Sequence, residues 1–316
     1  MSDAAAPIPA ARSSVTTEAV RRKLLGKRRG RGEWWFETLL LLSLLFALAI
    51  LVTLMVDLVG DAWGVLSERR SDFLTSNLSS LPERAGVRQG LIGSLMLMGF
   101  VVVLAFPTGI AAALYMEEYA RDSKVTRFIN ANIRNLAGVP AIVYGILGLV
   151  IFQTRLNGIL GDRSLLTGGL TMSILVLPIV IITSAEAIRA VPTGIREAGF
   201  GVGATKWEVI RSHILPYATP GILTGSILTL SRAIGETAPL IMVGSVTGFL
   251  SISPDNFIET LQSQYTALPT IIYTWARRSQ IEFGDLTAAA IIVLLAVLLF
   301  INTVAILLRN HYDRRW

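Results

Sequence analysis

The sequence predicts an all-α membrane protein with six transmembrane helices, on the grounds of its composition and the length of its apolar segments. Hydrophobic residues make up 53% of the 316 residues and charged residues only 16%, whereas soluble domains carry about 25% charged residues. A helix needs about 20 mostly apolar residues to cross the core of a bilayer. Six segments approach or exceed that length: residues 36–59, 91–116, 136–152, 165–185, 221–248 and 286–308.

The distribution of basic residues orients these segments. Of the 28 Lys and Arg residues, 19 fall on the side that also holds both termini, in residues 1–35, 117–135, 186–220 and 309–316. The opposite side holds 8, and only Arg232 lies within a segment. Because basic loops stay in the cytoplasm, we expect both termini to be cytoplasmic. The sequence pI near 9.9 then reflects membrane topology, and we expect no nucleic-acid partner.

The first elements of the chain are a tail, a span and an outer loop. Residues 1–35 form a basic tail without hydrophobic periodicity, which we expect to be disordered and to touch lipid head groups at most. Residues 36–59 consist mainly of large aliphatic side chains, as does the sixth segment, so both are expected to face membrane lipid. Residues 60–87 form the outer loop that follows the first span.

Further along, two segments have their own signals. The fifth segment carries G-x-x-x-G at Gly221 and Gly225, a spacing that lets helix backbones approach closely. We therefore expect this helix to be surrounded by protein. The outer stretch 249–286 contains TALPTIIYTWARR, which is too short to cross a bilayer. It predicts a re-entrant or interfacial helix, with Tyr273 and Trp275 at the membrane boundary.

The inner loop, residues 186–216, predicts two short helices joined by a glycine-rich bend. Thr205 and Glu208 have the spacing of a capping box, in which two side chains satisfy free backbone N–H groups at a helix start. We expect Pro216 to end that helix. One apolar stripe is predicted at Trp207, Ile210 and Ile214. Such a helix either packs on its own chain or binds a soluble partner.

This loop resembles the cytoplasmic loop of ABC importer permeases, which reads E-A-x-x-x-x-G and ends in L-P. The matching residues are Glu197, Ala198, Gly203, Leu215 and Pro216. In that family the loop forms the coupling helix, which inserts into a cleft of the ATPase subunit. The resemblance implies this coupling role for Glu197, Ala198 and Gly203, and the apolar stripe adds Trp207. Gly199 departs from the family pattern, which often has a second alanine there.

The glycine cluster GFGVGATK does not predict a nucleotide site. The chain has no G-x-x-x-x-G-K-[ST] motif. We therefore expect a permease and not an enzyme, with ATP and Mg²⁺ bound by a partner ATPase and no cofactor on this chain. A metal site is not expected either, because the chain has no cysteine and its two histidines are isolated.

Arg232 and Glu236 stand four residues apart inside the fifth segment, followed by Pro239. Arg232 lies about 16 Å along the helix from Gly221, near the middle of the bilayer. Charges at that depth usually face a wet pathway or the protein interior. Pro239 removes the helical partner of the Gly235 carbonyl and predicts a kink or break. A guanidinium binds oxyanions through paired hydrogen bonds, so the pattern predicts an anion pathway; a structural ion pair is the alternative.

The stretch SRAIGETAPL closely resembles the fifth-helix signature of A-type permeases of phosphate-specific ABC importers, and ALPTIIYTWARR resembles their outer segment. The resemblance covers residues 88–308 and implies the type I ABC importer permease (MetI-like) fold for that domain. It also implies a bacterial inner membrane location and inorganic phosphate as cargo. The implied partners are a homologous second permease in a heterodimer, two cytoplasmic ATPase subunits and an external phosphate-binding protein.

Three alternatives remain at this stage. The cargo is a related oxyanion such as molybdate or phosphonate, or the chain is a secondary anion transporter that needs no ATPase. A membrane enzyme acting on a phosphorylated lipid lacks a converging set of catalytic side chains. Glu117 and Glu118 are the nearest carboxylate pair, and we expect them to be solvated beside Arg121 and Lys124.

Overall fold

The computed structural model describes residues 31–245 and 256–313, with side chains from residue 34 to residue 311. Within these ranges the regular structure is helical, and the single β feature is an isolated antiparallel bridge between Ser164 and Gln264. Most of the predicted basic tail, the end of the predicted fifth segment and the last three residues lie outside the described residues.

The helices follow one another with short connections. In chain order the α-helices are α1 (Arg31–Glu68), α2 (Arg70–Thr75), α3 (Arg88–Phe100), α4 (Phe106–Leu114), α5 (Lys124–Ala137), α6 (Ala141–Gly148), α7 (Asn157–Leu160), α8 (Leu165–Arg189), α9 (Thr193–Gly201), α10 (Lys206–Val209), α11 (Leu215–Gly235), α12 (Ala238–Met242), α13 (Phe257–Gln262), α14 (Leu268–Trp275) and α15 (Glu282–Asp313). Short π-helical segments continue four of them, at Val101–Ala105, Tyr115–Tyr119, Leu149–Arg155 and Ile210–Ile214.

Four helical stretches of the described chain are long and apolar enough to cross a membrane: Trp34–Glu68, Arg88–Tyr119, Leu165–Arg189 and Glu282–His311. A fifth is obtained if the pair Lys124–Ala137 and Ala141–Arg155, bent by 100°, counts as one span. The prediction of six spans is therefore not confirmed. The predicted third span, residues 136–152, starts instead at Ala141, because Pro140 follows the bend and takes an extended ψ of 137°.

The second span, Arg88–Tyr119, shows how the chain accommodates a proline in mid-membrane. Pro107 lies in the first turn of α4, directly after the π segment Val101–Ala105. Proline has no N–H to offer, so a carbonyl one turn earlier loses its partner. The Thr108 hydroxyl donates to the Leu104 carbonyl at 2.5 Å, so the side chain after the proline is bonded within its own helix.

Two compact units divide the chain after Asp57. In the first unit the apolar side chains of α1 are exposed, for example Leu44 and Phe46, as the prediction of a lipid-facing span requires. In the second unit α8 is the most enclosed of the four candidate spans. It contacts α3, α4, α5, α6 and α11. The helix surrounded by protein is thus α8, and the predicted fifth segment packs against it from one side.

The predicted outer stretch folds into α13 and α14, and α14 lies inside the second unit. Trp275 is only 1% exposed and packs against Phe73 and Phe283, so its ring lies in the protein interior. Tyr273 is exposed, and its place at the membrane boundary stays a prediction. The Ser94 hydroxyl accepts a hydrogen bond from the Leu268 N–H at 2.9 Å, which fixes the start of α14 against the second span.

Candidate functional site: a broken helix and a two-helix loop

The helix that carries Arg232 is seated on α8 through glycines. A Cβ added at Gly221 would lie 2.8 Å from the Cβ of Ala187, and one at Gly225 would lie 2.5 Å from the Cβ of Thr183. Neither distance is sterically allowed, so both positions require glycine. The close approach predicted from the G-x-x-x-G spacing is therefore present, and it fixes α11 against α8.

Towards its C-terminal end, α11 has a side that the described part of the chain leaves uncovered. Leu228 is 66% exposed and the Arg232 side chain 55% exposed. Gly235 is exposed on the same side of the helix, and a Cβ added there meets nothing within 4 Å. We call these three residues, Leu228, Arg232 and Gly235, the open stripe. A guanidinium thus lies on a helix surface that its own chain leaves free.

Arg232 and Glu236 form an ion pair, with 3.3 Å between Arg232 Nε and Glu236 Oε1. The contact uses one of the five N–H donors of the guanidinium. Within the described residues, Arg232 makes no second hydrogen bond. Arg preceding Glu is the weaker order for an intrahelical pair, and a single long contact to a half-exposed side chain holds it loosely. The terminal N–H groups of Arg232 therefore remain available to an anion.

The helix breaks directly after this pair. α11 ends at Gly235, and Glu236 is extended with φ −77° and ψ 114°. Pro239 lies in the first turn of α12, so the predicted break at Pro239 is confirmed. Pro239 itself is buried against α6, where a Cβ at Gly145 would lie 2.7 Å from its Cα. Pro239 therefore packs against α6 and is not part of the open stripe.

The predicted two-helix loop is present, and both of its turn signals are confirmed. Gly203 has φ +82°, and the N–H groups of Gly203 and Ala204 donate to the carbonyls of Phe200 and Gly199, the Schellman pattern that ends α9. Thr205 and Glu208 form the capping box that starts α10. Hydrogen bonds from the Thr205 hydroxyl and N–H lower the pKa of the Glu208 carboxyl.

Two expectations about this loop are wrong. Pro216 does not end the helix, since α10 continues through the π segment Ile210–Ile214 into α11, and Pro216 lies in the first turn of α11. That position tolerates proline because the widened π turn has already changed the bonding register. The apolar stripe is divided as well: Ile210 and Ile214 are buried in the chain's own core, whereas Trp207 is 53% exposed.

Four residues predicted to couple to an ATPase are exposed on the loop. Glu197, Ala198 and Gly203 are exposed, as is Trp207. Two exposed apolar residues that the sequence analysis missed belong to the same surface, Phe200 and Val202. Their signal was the F-G-V-G pattern, in which large apolar side chains stand between glycines in a polar loop. Gly199 is buried, and a Cβ there would lie 2.8 Å from Val209 Cγ2, which explains why alanine is absent.

Glu117 and Glu118 are not solvated as expected. Glu117 pairs with Arg189 at 2.5 Å and Glu118 with Arg196 at 3.0 Å. The two carboxylate side chains are only 15% and 10% exposed. Their partners lie more than 70 residues further along the chain, so the pairs join the end of the second span to the end of α8 and to the loop.

No group of three or more His, Cys, Asp or Glu residues in the described ranges is arranged to hold a metal ion. Arg232, which pairs only with Glu236 among the described residues, is the charged group of the open stripe, and a guanidinium is suited to anions and not to cations.

Comparison with known proteins agrees with this architecture. Residues 105–316 match the family model described as binding-protein-dependent transport system inner membrane component. The chain is 32% identical over 279 residues to phosphate transport system permease protein PstA 1 of Mycobacterium tuberculosis, covering 86% of this chain and 87% of the relative. It is 29% identical over 299 residues to PstA of Yersinia pestis, covering 93% and 95%.

Solved structures show the same fold. A bacterial alginate ABC transporter matches with a TM-score of 0.64 at 18% identity, over 90% of this chain and 96% of that one. The MetNI methionine ABC transporter in an inward-facing conformation matches with a TM-score of 0.56, over 74% and 99%. These neighbours confirm the predicted MetI-like permease fold. The chain belongs to the family of inner membrane components of binding-protein-dependent transport systems, alongside the PstA permeases to which it is similar.

Proposed function

We propose that this chain is the permease subunit of an ATP-driven importer and that inorganic phosphate passes along the open stripe. The observation that carries the proposal is the loosely paired guanidinium of Arg232, exposed on α11 next to a helix break, at a position that the sequence predicts to lie near the middle of the bilayer. Charges at such depth cost several kcal/mol unless water or a partner compensates them. An oxyanion moving past Arg232 supplies that compensation, and its hydrogen bonds match the guanidinium fork.

Glu236 sets how long the anion stays. Its carboxylate holds one donor of Arg232 when no anion is present and repels a bound oxyanion by like charge. A transport site must bind its cargo weakly enough to release it, and this counter-ion keeps the affinity low. The break after Gly235 leaves backbone groups near the site free of helical bonds, as in other midplane transport sites.

The partners follow from the family and from the uncovered surfaces. A homologous second permease in a heterodimer covers the open stripe and closes the pathway. Two cytoplasmic ATPase subunits, which bind ATP and Mg²⁺, contact the loop through Glu197, Trp207, Phe200 and Val202. An external phosphate-binding protein delivers the cargo. The complex lies in the bacterial inner membrane, with both termini of this chain in the cytoplasm, since 19 of 28 basic residues lie on that side.

Uptake of labelled phosphate by the reconstituted complex tests the pathway. Arg232→Gln removes the charge, and we expect uptake to be lost while the complex still assembles. Arg232→Lys keeps the charge but loses the planar fork, so we expect intermediate uptake. Arg127→Gln is the matched control, because Arg127 forms an exposed surface pair with Asp122. Normal uptake by Arg232→Gln would remove Arg232 from the pathway.

The same preparation distinguishes the competing functions. Uptake by this chain without an ATPase would show a secondary anion transporter and refute the importer. Inhibition by molybdate or phosphonate as strong as by unlabelled phosphate would show that phosphate is not the specific cargo. Glu197→Lys and Trp207→Ala are expected to weaken co-purification of the ATPase, and unchanged coupled turnover in both would exclude this loop as its docking surface.

A further inference from the structure

One arginine of the loop contacts the ends of two spans. Arg196 lies on α9, and its guanidinium donates to Glu118 Oε1 from Nε at 3.2 Å and from Nη2 at 3.0 Å. Nη1 donates to the Val191 carbonyl at 2.6 Å, and Nη2 also donates to the Ile188 carbonyl at 2.9 Å. A single side chain thus joins the loop to the second span and to the end of α8.

These contacts are enclosed and specific. The Arg196 side chain is 20% exposed and that of Glu118 is 10% exposed, so solvent screens the pair weakly. The carbonyls of Ile188 and Val191 lie at the end of α8, where a helix leaves C=O groups without intrahelical partners. Arg196 satisfies those groups and the carboxylate together, a task for which a planar fork of five donors is needed.

Other contacts pack the loop against the ends of the spans. Lys206 lies with its ammonium 4.9 Å from the ring centre of Tyr119, at the end of the second span. Val209, Ile210 and Ile214 are buried in one apolar cluster with Ile188 and Ala113, which lie on α8 and α4. Packed interiors transmit displacement instead of absorbing it. A push on α9 therefore reaches the ends of both spans.

We propose that Arg196 is the positioning residue that transmits movement of the loop to the second span, through its bonds to Glu118 and the end of α8. The inference rests on the proposed function, in which an ATPase moves the loop. The neighbouring pair Glu117–Arg189 connects the same two spans but does not involve the loop. Arg189 is also 57% exposed, so this pair is a matched control for the loss of one interhelical ion pair.

The first test measures ATP hydrolysed per phosphate imported by the full reconstituted complex. For Arg196→Gln and for Glu118→Gln we expect this ratio to rise at least about fivefold, the lower end of coupling factors between linked sites. Arg196→Lys restores only the contact to Glu118 and should give an intermediate ratio. Arg189→Gln should keep the wild-type ratio. A purely structural role would lower hydrolysis and uptake in parallel and leave the ratio unchanged, which would overturn the inference.

The second test is independent of the cargo. The chain has no cysteine, so spin labels can be attached at Tyr115→Cys on the second span and at Thr193→Cys on α9, an exposed residue that is not among those proposed to contact the ATPase. We expect the distance between the labels to be the same without nucleotide and after trapping with ATP and vanadate. With Arg196→Gln added, the distance should change on trapping. A change already present without that substitution would overturn the inference.

The two tests separate this inference from the proposed function. If the wild-type complex hydrolyses ATP but imports no phosphate, the proposed function fails, and the label distance alone decides whether Arg196 transmits movement. If the wild-type complex imports phosphate and Arg196→Gln keeps both the ratio and the fixed distance, the inference fails and the proposed function stands.

Discussion

Replacing Gly225 by alanine tests the helix contact that places Arg232. The new Cβ would lie 2.5 Å from the Cβ of Thr183 and 2.6 Å from its Oγ1. Carbon atoms in contact lie about 3.5–4.0 Å apart, so α11 and α8 must separate by roughly 1 Å at this point. Overpacking of this kind costs about 1–3 kcal/mol. Each kcal/mol lowers Tm by about 2–4 °C in a domain of this size, which gives an expected loss of about 2–12 °C from the clash.

Replacing glycine by alanine inside a helix also stabilises the helix by about 1 kcal/mol. The change in Tm that is due to the clash is obtained only after this stabilisation is subtracted. Gly60→Ala supplies the correction, because Gly60 lies inside α1 and an added Cβ there meets nothing within 4 Å. Thermal unfolding of both variants in the same detergent should therefore show the lower Tm for Gly225→Ala. Phosphate uptake should fall with it, since Arg232 is carried on the displaced helix. Melting of the two variants within about 1 °C of each other would refute the close approach of α11 and α8.

Three further predictions concern single groups. The Tyr265 hydroxyl is buried without a hydrogen-bond partner among the described residues, and burial raises its pKa. Tyr265→Phe should therefore leave Tm equal or higher, whereas Ser94→Ala should lower Tm because it breaks a buried hydrogen bond. A lower Tm for Tyr265→Phe would contradict the absence of a partner. Gly203→Ala places a side chain at φ +82°, which should destabilise the turn by about 1 kcal/mol. We expect the destabilised turn to weaken ATPase binding, and unchanged binding would contradict this prediction. The Thr205 N–H donates to the Glu208 carboxylate at 2.7 Å. The amide resonance of Thr205 should therefore titrate with a midpoint below the usual Glu pKa of about 4.3, because the bond is present above the lowered pKa and lost as pH falls through it. A midpoint at or above the usual value would exclude the bond.

Local physics in the sequence was sufficient for several features of this protein. The capping box at Thr205, the turn at Gly203 and the break at Pro239 each depend on a few neighbouring residues and their backbone preferences. The membrane character of the chain follows from the length of its apolar runs, because backbone groups in lipid must be satisfied within helices. The MetI-like fold was recognisable from the loop and fifth-helix motifs, which are short and contiguous.

Tertiary structure decided which charges are paired and which helices are enclosed. Glu118 pairs with Arg196, which lies 78 residues further along the chain. No helical spacing predicts such a contact, and for this reason the sequence indicated that Glu117 and Glu118 are solvated. Trp275 appeared suited to a membrane boundary, but packing with Phe73 and Phe283 buries it. The prediction of six spans is not confirmed, because the bend before Ala141 and the break after Gly235 divide apolar runs that are continuous in the sequence. Burial and pairing depend on where distant segments come to lie, and that information resides in the packed chain as a whole.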